Sequence, residues 1–407
     1  MFNLNYNNNY KLYNHSGTYR TKEPKATLSN LLNITEKINL ISSWEIYPKY
    51  INSIHGNFID PSIYYSDAAV KLIGVKKTSG KGLTNLQAYC SVLAEAVERL
   101  SCFSYLHNPA KFIITTEKSL NNKCINLDFI YNCAYSNLLS TILKVKDNRE
   151  KLSDIYLQWY QGVDLITGKD DLYIPYSLIV FLLHGTNGMA AGNTIEEAIL
   201  HGLCEVIERD IETRVYENDI VAPTLDLSTI DSNNVNFLID LLYQDKNDFI
   251  IKDFSAFYKV PAFAFLRYIP QHNKYMLTYG CSVSKEDALI RTILENLFLD
   301  EFLFPKYKSQ FPYFFNNSKV SNYKDIKELC SDNICTELNS VINILYNDYN
   351  MKSYMINTTF DNNFPSCFVF IDGMKYNIDF GTPEAVQDIE HRNKNFILGL
   401  ENKLAVL

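Results

Sequence analysis

The chain has 407 residues and carries 38 Lys and Arg against 46 Asp and Glu, a formal net charge of −8. That length can bury a large core, and the absence of a basic stripe argues against bulk nucleic-acid binding. No apolar run approaches the roughly 20 residues of a membrane span, and the first residues lack the charged and apolar regions of a signal peptide, so the cytoplasm is the expected compartment.

In chain order, residues 1–15 are rich in Asn and Tyr and are expected to fray. Residues 16–407 read as one large domain. After the turn at Pro24 a helix is expected over residues 27–41. A glycine-bearing loop, Thr78-Ser79-Gly80-Lys81-Gly82, leads into a helix opened by the capping-box signature Thr84…Gln87. Residues 111–154 are polar and irregular and suit a variable insertion or a substrate-facing segment. Short strands are expected at 156–160 and 173–174, around the turn Thr167-Gly168-Lys169. A second loop, residues 186–193, precedes another capped helix, Thr194…Glu197. Residues 260–268 and 275–283 alternate as a hairpin around Pro270-Gln271-His272-Asn273. Late core strands are expected at 354–359 and 367–371. Strands and helices intersperse without a regular βαβ beat, which predicts an α+β fold of mixed sheets and helices.

The two capped helices share a pattern. Thr84-x-x-Gln87-Ala88 followed by Glu95-x-x-Glu98-Arg99 aligns without a gap to Thr194-x-x-Glu197-Ala198 followed by Glu205-x-x-Glu208-Arg209. The same alignment pairs Gly82 with Gly192 and Leu93 with Leu203. At about 100° per residue, Ser91, Glu95 and Glu98 fall within roughly 60° on one helix face. Glu197, His201, Glu205 and Glu208 form a slightly wider stripe, and the opposite sides are apolar. A weaker third copy runs Ser284-x-x-Asp287-Ala288…Glu295, with Phe298 and Leu299 replacing the second Glu and the Arg. The copies suggest internal pseudo-symmetry, with helices converging on a shared pocket.

A single E-x-x-E-R is ordinarily a solvated face with paired side chains. Two matched copies, each behind a glycine loop, favour a site instead, because gathered carboxylates repel each other unless a cation sits among them. Each loop runs into a helix N-terminus where N–H groups and the dipole favour phosphate, and Lys81 adds a charge. Neither loop fits G-x-x-x-x-G-K-[ST] or G-x-G-x-x-G. The nine cysteines are odd in number and irregular in spacing, with no C-x-x-C, so neither a disulfide framework nor a zinc site is indicated. Cys90 and Cys204 read as small core residues, and His201 as either a satisfied polar residue or a pocket residue.

These residues resemble the YcaO family. Thr78-Ser79-Gly80-Lys81-Gly82 with Ser91-x-x-x-Glu95-x-x-Glu98-Arg99 is similar to its first nucleotide-site motif. Asn187-Gly188-Met189-Ala190-Ala191-Gly192-Asn193-Thr194, continuing through Glu197 to Glu205-x-x-Glu208-Arg209-Asp210, is similar to its second. The resemblance covers most of residues 15–310, including the connecting segment that ends Ile174-Pro175. It implies an ATP- and Mg2+-dependent enzyme that activates a peptide backbone amide. A nucleophile adds to the amide carbon, the amide oxygen takes the γ-phosphoryl group, and phosphate leaves. Azolines result when a Cys, Ser or Thr side chain attacks, and thioamides or amidines with other nucleophiles.

By the same resemblance, Ser91, Glu95, Glu98, Asn193, Glu197, Glu205, Glu208 and Arg209 would contact ATP or its metals. Glu95, Glu98, Glu205, Glu208 and Glu295 form the implied metal set. Lys81 would add a positive charge, either Arg291 substitutes for the cation lost in the third motif or nucleotide turnover is impaired, and Arg20 and Thr27 lie where the family places N-terminal nucleotide contacts. The implied substrate is a ribosomally made precursor peptide, assisted by a leader-binding or E1-like partner; thioamide formation would need a sulfur-delivery partner instead. A homodimer is compatible with this reading. Two departures stand out in the third motif, where the family's Gln and Arg are Phe298 and Asp300 here. They motivate a different reading, a non-catalytic relative that binds peptide or scaffolds an active homologue. The chain also ends without the proline-rich tail of many azoline-forming members.

Overall fold

The computed structural model describes residues 10–375, less 129–152, 299–318 and short breaks at 16, 52–53, 122, 181–184, 218, 245–247, 271–272 and 362–363. Near the start, strands β1 (Tyr13–His15) and β2 (Thr18–Arg20) pair antiparallel across Gly17, whose φ of 82° suits a residue without Cβ. Part of the stretch expected to fray is therefore a strand, and Leu12 beside it is buried. Residues 1–9 lie outside the described part.

Helix α1 spans Pro24–Lys37, earlier than the expected 27–41. Pro24 serves as a helix start rather than the preceding turn, because a first-turn residue needs no N–H. Asn39, at φ 48°, closes the helix, and Ile41 already belongs to the next strand. There β3 (Ile41–Ile51) and β4 (Ile54–Tyr65) form a long antiparallel hairpin that the sequence reading missed. Helix α2 (Asp67–Ile73) follows, then β5 (Lys77–Ser79), completing a three-stranded sheet in the order β3-β4-β5.

Two larger sheets carry the rest. One has the order β6-β7-β15-β16-β9, with β8 paired to β7. Its strands are β6 (Phe112–Thr115), β7 (Leu157–Asp164), β8 (Leu172–Ile174), β9 (Met189–Ala191), β15 (Ser353–Asn357) and β16 (Ser366–Ile371). The other has the order β13-β12-β11-β10-β14. It comprises β10 (Thr224–Asp226), β11 (Phe249–Asp253), β12 (Ala262–Ile269), β13 (Lys274–Cys281) and β14 (Val320–Asn322), with only β10 and β14 parallel among its described pairs. The strands expected at 156–160, 173–174, 354–359 and 367–371, and the hairpin around residues 270–273, are all present. The chain is an α+β protein. Most of the polar segment at 111–154, residues 129–152, lies outside the described part.

The helices connect these sheets. Helix α3 (Asn85–His107) packs on α1 and β4 and reaches β9 and β16, while α4 (Ile195–Tyr216) packs across β16 and β9. Helices α5 (Asn233–Gln244) and α6 (Lys285–Phe298) cover the five-stranded sheet, and α7 (Ile334–Tyr349) packs on α4. The largest apolar core joins α4 to strands β7, β15 and β16, with Trp159, Phe368 and Phe370 fully buried.

The starts of α3 and α4 follow from their caps. Thr84 and Gln87 form a full reciprocal capping box, worth about 1 kcal/mol. Thr194 accepts the Glu197 N–H, yet the Glu197 carboxylate points elsewhere, as described below. Just before α4, a Cβ on Gly192 would lie 2.6 Å from the Ala198 nitrogen and 2.9 Å from the Glu197 Cβ. Neither neighbour is a flexible side-chain end. The substitution Gly192→Ala is expected to cost about 1–3 kcal/mol of stability by forcing this turn apart, read from denaturant unfolding midpoints. A midpoint equal to that of the wild type would show that the turn has slack.

Candidate nucleotide and metal site

Three helices present acidic side chains to one recess, and Lys81 marks where they meet. It projects from the loop between β5 and α3 and forms an ion pair with Glu295 of α6. Glu95 of α3 and Glu208 of α4 also face Lys81, as do Arg291 of α6 and Arg209 of α4. Burial pulls the Lys81 ammonium down to about 8, although the neighbouring carboxylates oppose that shift. Segments more than 200 residues apart thus converge, as the matched stripes predict.

Glu98 and Glu205 come from different helices and repel each other across β9. Burial holds Glu98 well above the usual carboxylate range, and repulsion from Glu205 and then Glu95 adds to it. Burial likewise pushes Glu205 up to about 7 and raises Glu208, while Arg209 opposes both shifts. The second glycine loop is committed to these acids. The Gly188 N–H donates to Glu205 at 3.2 Å, and the Ala191 backbone N–H to Glu98. Two of its N–H groups therefore hold carboxylates, and this part of the loop is no open phosphate cradle.

A second group flanks the first. The Asn193 side chain donates to Glu197 at 3.1 Å, and the Thr27 hydroxyl donates to the Asn193 carbonyl oxygen at 2.8 Å. The Thr21 N–H and hydroxyl donate to Glu197 at 3.0 and 2.7 Å, and Arg20 stands 3.7 Å from the same carboxylate. Glu197 thus binds β2 to α4 instead of closing its own cap. Sequence reading placed Arg20, Thr27, Asn193 and Glu197 in the site but missed Thr21. A hydroxyl in the bend after a short strand carries no periodic signal, and only the tertiary contact reveals it.

The remaining expected residues are also placed. Ser91 lies half-buried on α3, one turn before Glu95, and Glu95 pairs with Arg99 at 2.6 Å. Arg209 donates to Glu212 at 2.9 Å and lies 4.0 Å from Glu208, while its buried Nε has no partner. Phe298 is spent on packing, edge-on to Phe58 of β4 with ring centroids 6.4 Å apart. Asp300 lies outside the described residues. Cys204 is buried as expected, whereas Cys90 is half-buried and donates its thiol to the Pro24 carbonyl.

The donor set fits one metal chemistry best. Among the described residues, no three carboxylate, His or Cys side chains converge closely enough to hold an ion unaided. Mg2+ takes one or two carboxylates, keeps several waters and completes its shell with phosphate oxygens. Glu95, Glu98, Glu205, Glu208 and Glu295, spread around a recess with Lys81, Arg209 and Arg291, match that division of labour. Among the described residues, no cluster of three or more His, Cys or carboxylate side chains is present to hold a soft metal.

A family model described as YcaO cyclodehydratase, ATP- and Mg2+-binding, matches residues 79–375. The chain belongs to the YcaO family. Its cofactors are accordingly ATP and Mg2+. A Rhizobium leguminosarum protein named for its place in the tfuA 3′ region is 30% identical over 144 residues, 32% of this chain and 30% of that protein. The ribosomal protein S12 methylthiotransferase accessory factor YcaO of Escherichia coli K12 is 25% identical over 240 residues, 54% of this chain and 40% of that protein. The chain thus matches less than half the length of these curated relatives. Among solved structures, a heterocyclase in complex with substrate and cofactor superposes with a TM-score of 0.73 at 19% identity, over 90% of this chain and 54% of that one. YcaO from Methanopyrus kandleri bound with AMPPCP and Mg2+ gives 0.67 at 17% identity, over 90% of this chain and 94% of that one. At such identities the likeness establishes the YcaO fold alone.

Proton binding gives a direct handle on the acidic recess. Because the folded pKa of Glu205 lies above its usual value, its proton stabilises the metal-free fold below about pH 4.5, and that contribution is lost as pH rises through about 7. Cation binding needs the ionised form and runs the opposite way. The rise in melting temperature caused by Mg2+ with an ATP analogue is expected to grow between about pH 6 and about pH 8, and Glu205→Gln should flatten that growth. Thermal melts across this range check it; an increment independent of pH would remove Glu205 from the metal's surroundings.

Proposed function

We propose that the protein activates backbone amides of a ribosomally made precursor peptide by ATP-dependent phosphorylation of the amide oxygen, forming azolines. The observation that carries this reading is the convergence of Glu95, Glu208 and Glu295 from three helices on Lys81, with Glu98 and Glu205 facing each other and these acids beside it. Phosphoryl transfer asks little covalent chemistry of a protein; it asks for cations on the phosphates and for placement of both reactants.

In this proposal the five glutamates hold Mg2+, which would neutralise charge developing on the phosphates. Ser91, Asn193, Glu197, Arg20 and Thr27 contact the nucleotide, while Lys81, Arg209 and Arg291 balance phosphate charge. A Cys, Ser or Thr side chain of the peptide attacks the preceding amide carbon. That attack closes the ring, the amide oxygen takes the γ-phosphoryl group as ADP departs, and loss of phosphate with the amide proton forms the C=N bond. One water is lost from the peptide per azoline, its oxygen carried off in phosphate.

A partner that binds the peptide's leader completes the proposal. This chain superposes on one chain of the Escherichia coli microcin synthetase McbBCD complex with pro-MccB17 bound, with a TM-score of 0.56 at 14% identity, a likeness of fold that suits a multi-protein arrangement. The alternative product is a thioamide, for which a separate partner would deliver sulfur to the activated amide. Azoline formation lowers the peptide mass by one water per site, whereas thioamidation exchanges oxygen for sulfur, so mass spectrometry separates them.

The decisive measurement is Mg2+-dependent ATP hydrolysis stimulated by peptide. Glu208→Gln is expected to fold with an unchanged melting temperature and to lose about a hundredfold or more in turnover. Undiminished turnover would exclude Glu208 from the metal set. Absence of nucleotide binding by the wild type in calorimetry would sink the enzyme reading and favour a scaffold.

A further inference from the structure

We infer that His201 is a positioning residue that holds the Arg291 guanidinium over the acidic recess without neutralising it. The inference rests on the reading that Arg291 faces the nucleotide's phosphates. His201 lies on α4, one turn before Glu205, and Arg291 on α6. The two guanidinium NH groups stand 3.3 and 3.2 Å from His201 Nδ1, and one of them lies 3.5 Å from Nε2. A guanidinium can only donate, so a ring nitrogen must accept, and the shorter contacts of both NH groups to Nδ1 assign the acceptor there and the proton to Nε2.

The surroundings keep the ring in that state. Arg291 faces it from α6 and Arg20 from β2, and burial together with these two cations holds His201 well below its ordinary pKa. A neutral acceptor between two guanidinium groups fixes direction while leaving both positive charges intact. A carboxylate at position 201 would hold Arg291 as firmly but would cancel the charge that phosphate needs. The other pulls on Arg291 come from acids. Asp287 sits one turn earlier on α6, its Oδ2 taken by the Ser282 hydroxyl at 2.8 Å and its buried Oδ1 without a partner, while Glu208 and Glu205 attract from α4. Without the imidazole, Arg291 would be free to swing toward these carboxylates and occupy the space of a metal-bound phosphate.

The test is calorimetric titration of the full chain with a non-hydrolysable ATP analogue and Mg2+, alongside melts of the nucleotide-free protein. His201→Phe, which keeps the bulk and removes the acceptor, is expected to weaken nucleotide binding about tenfold. His201→Gln, which retains an acceptor, should stay within about threefold of wild type, and His201→Glu should weaken binding by at least as much as Phe. In an Arg291→Ala background, His201→Phe should have almost no further effect on affinity or melting temperature. Wild-type affinity in His201→Phe would overturn the inference, as would fully additive losses in the double variant. A wild type that binds no analogue refutes the nucleotide-site reading instead, and the coupling of the two substitutions in the nucleotide-free melts still decides the contact.

Discussion

Bringing Glu98, Glu205 and Glu208 together is electrostatically costly, and the architecture answers that cost with placed cations and backbone donors. Lys81, Arg209 and Arg291 stand among the carboxylates, and Gly188 and Ala191 lend their N–H groups to Glu205 and Glu98. Burial raises the pKa values of these carboxylates and the residual repulsion adds to it, the condition under which a divalent cation gains most by binding. Packing sets the geometry. Helices α3 and α4 are both held against β9 and β16, so their acidic faces cannot drift apart without exposing the apolar core beneath them.

Much of this was legible in the sequence because helical periodicity turns spacing into direction. Glu95 and Glu98, and Glu205 and Glu208, had to share helix faces once Thr84 and Thr194 fixed where those helices begin. Hairpins with a polar turn were equally readable, as at residues 270–273. The β3–β4 hairpin was not: its strands contain Pro48 and Pro61, and no Asn-Gly or Asp-Gly pair announces the reversal. The start of α1 was placed late because Pro24 fits both a turn and a first helical residue. Glu197 shows another limit, since capping chemistry assigned its carboxylate a local partner and the tertiary structure gave it Thr21 and Asn193. Nothing in local sequence ranks a distant hydroxyl against a nearby N–H.

The departure at Phe298 has a plain structural use. Its ring meets Phe58 of β4, so the residue that replaces a polar family position joins α6 to the three-stranded sheet and adds to the core of the five-stranded one. On that helix Glu295 pairs with Lys81 and Arg291 contacts His201. The third stripe thus has fewer polar members than the other two, yet it still supplies an acid and a base to the recess.

The bond network at Glu197 makes the beginning of the chain a wall of the site. Thr21 grips that carboxylate through both its backbone and its hydroxyl, and Thr27 reaches Asn193 one step away. Trimming the protein past Thr21 would strip a side of the pocket while sparing the large cores built by later segments. Shortened versions made for expression would keep those cores and still lose this wall of the candidate site, so the location of an affinity tag is a biochemical choice as much as a practical one.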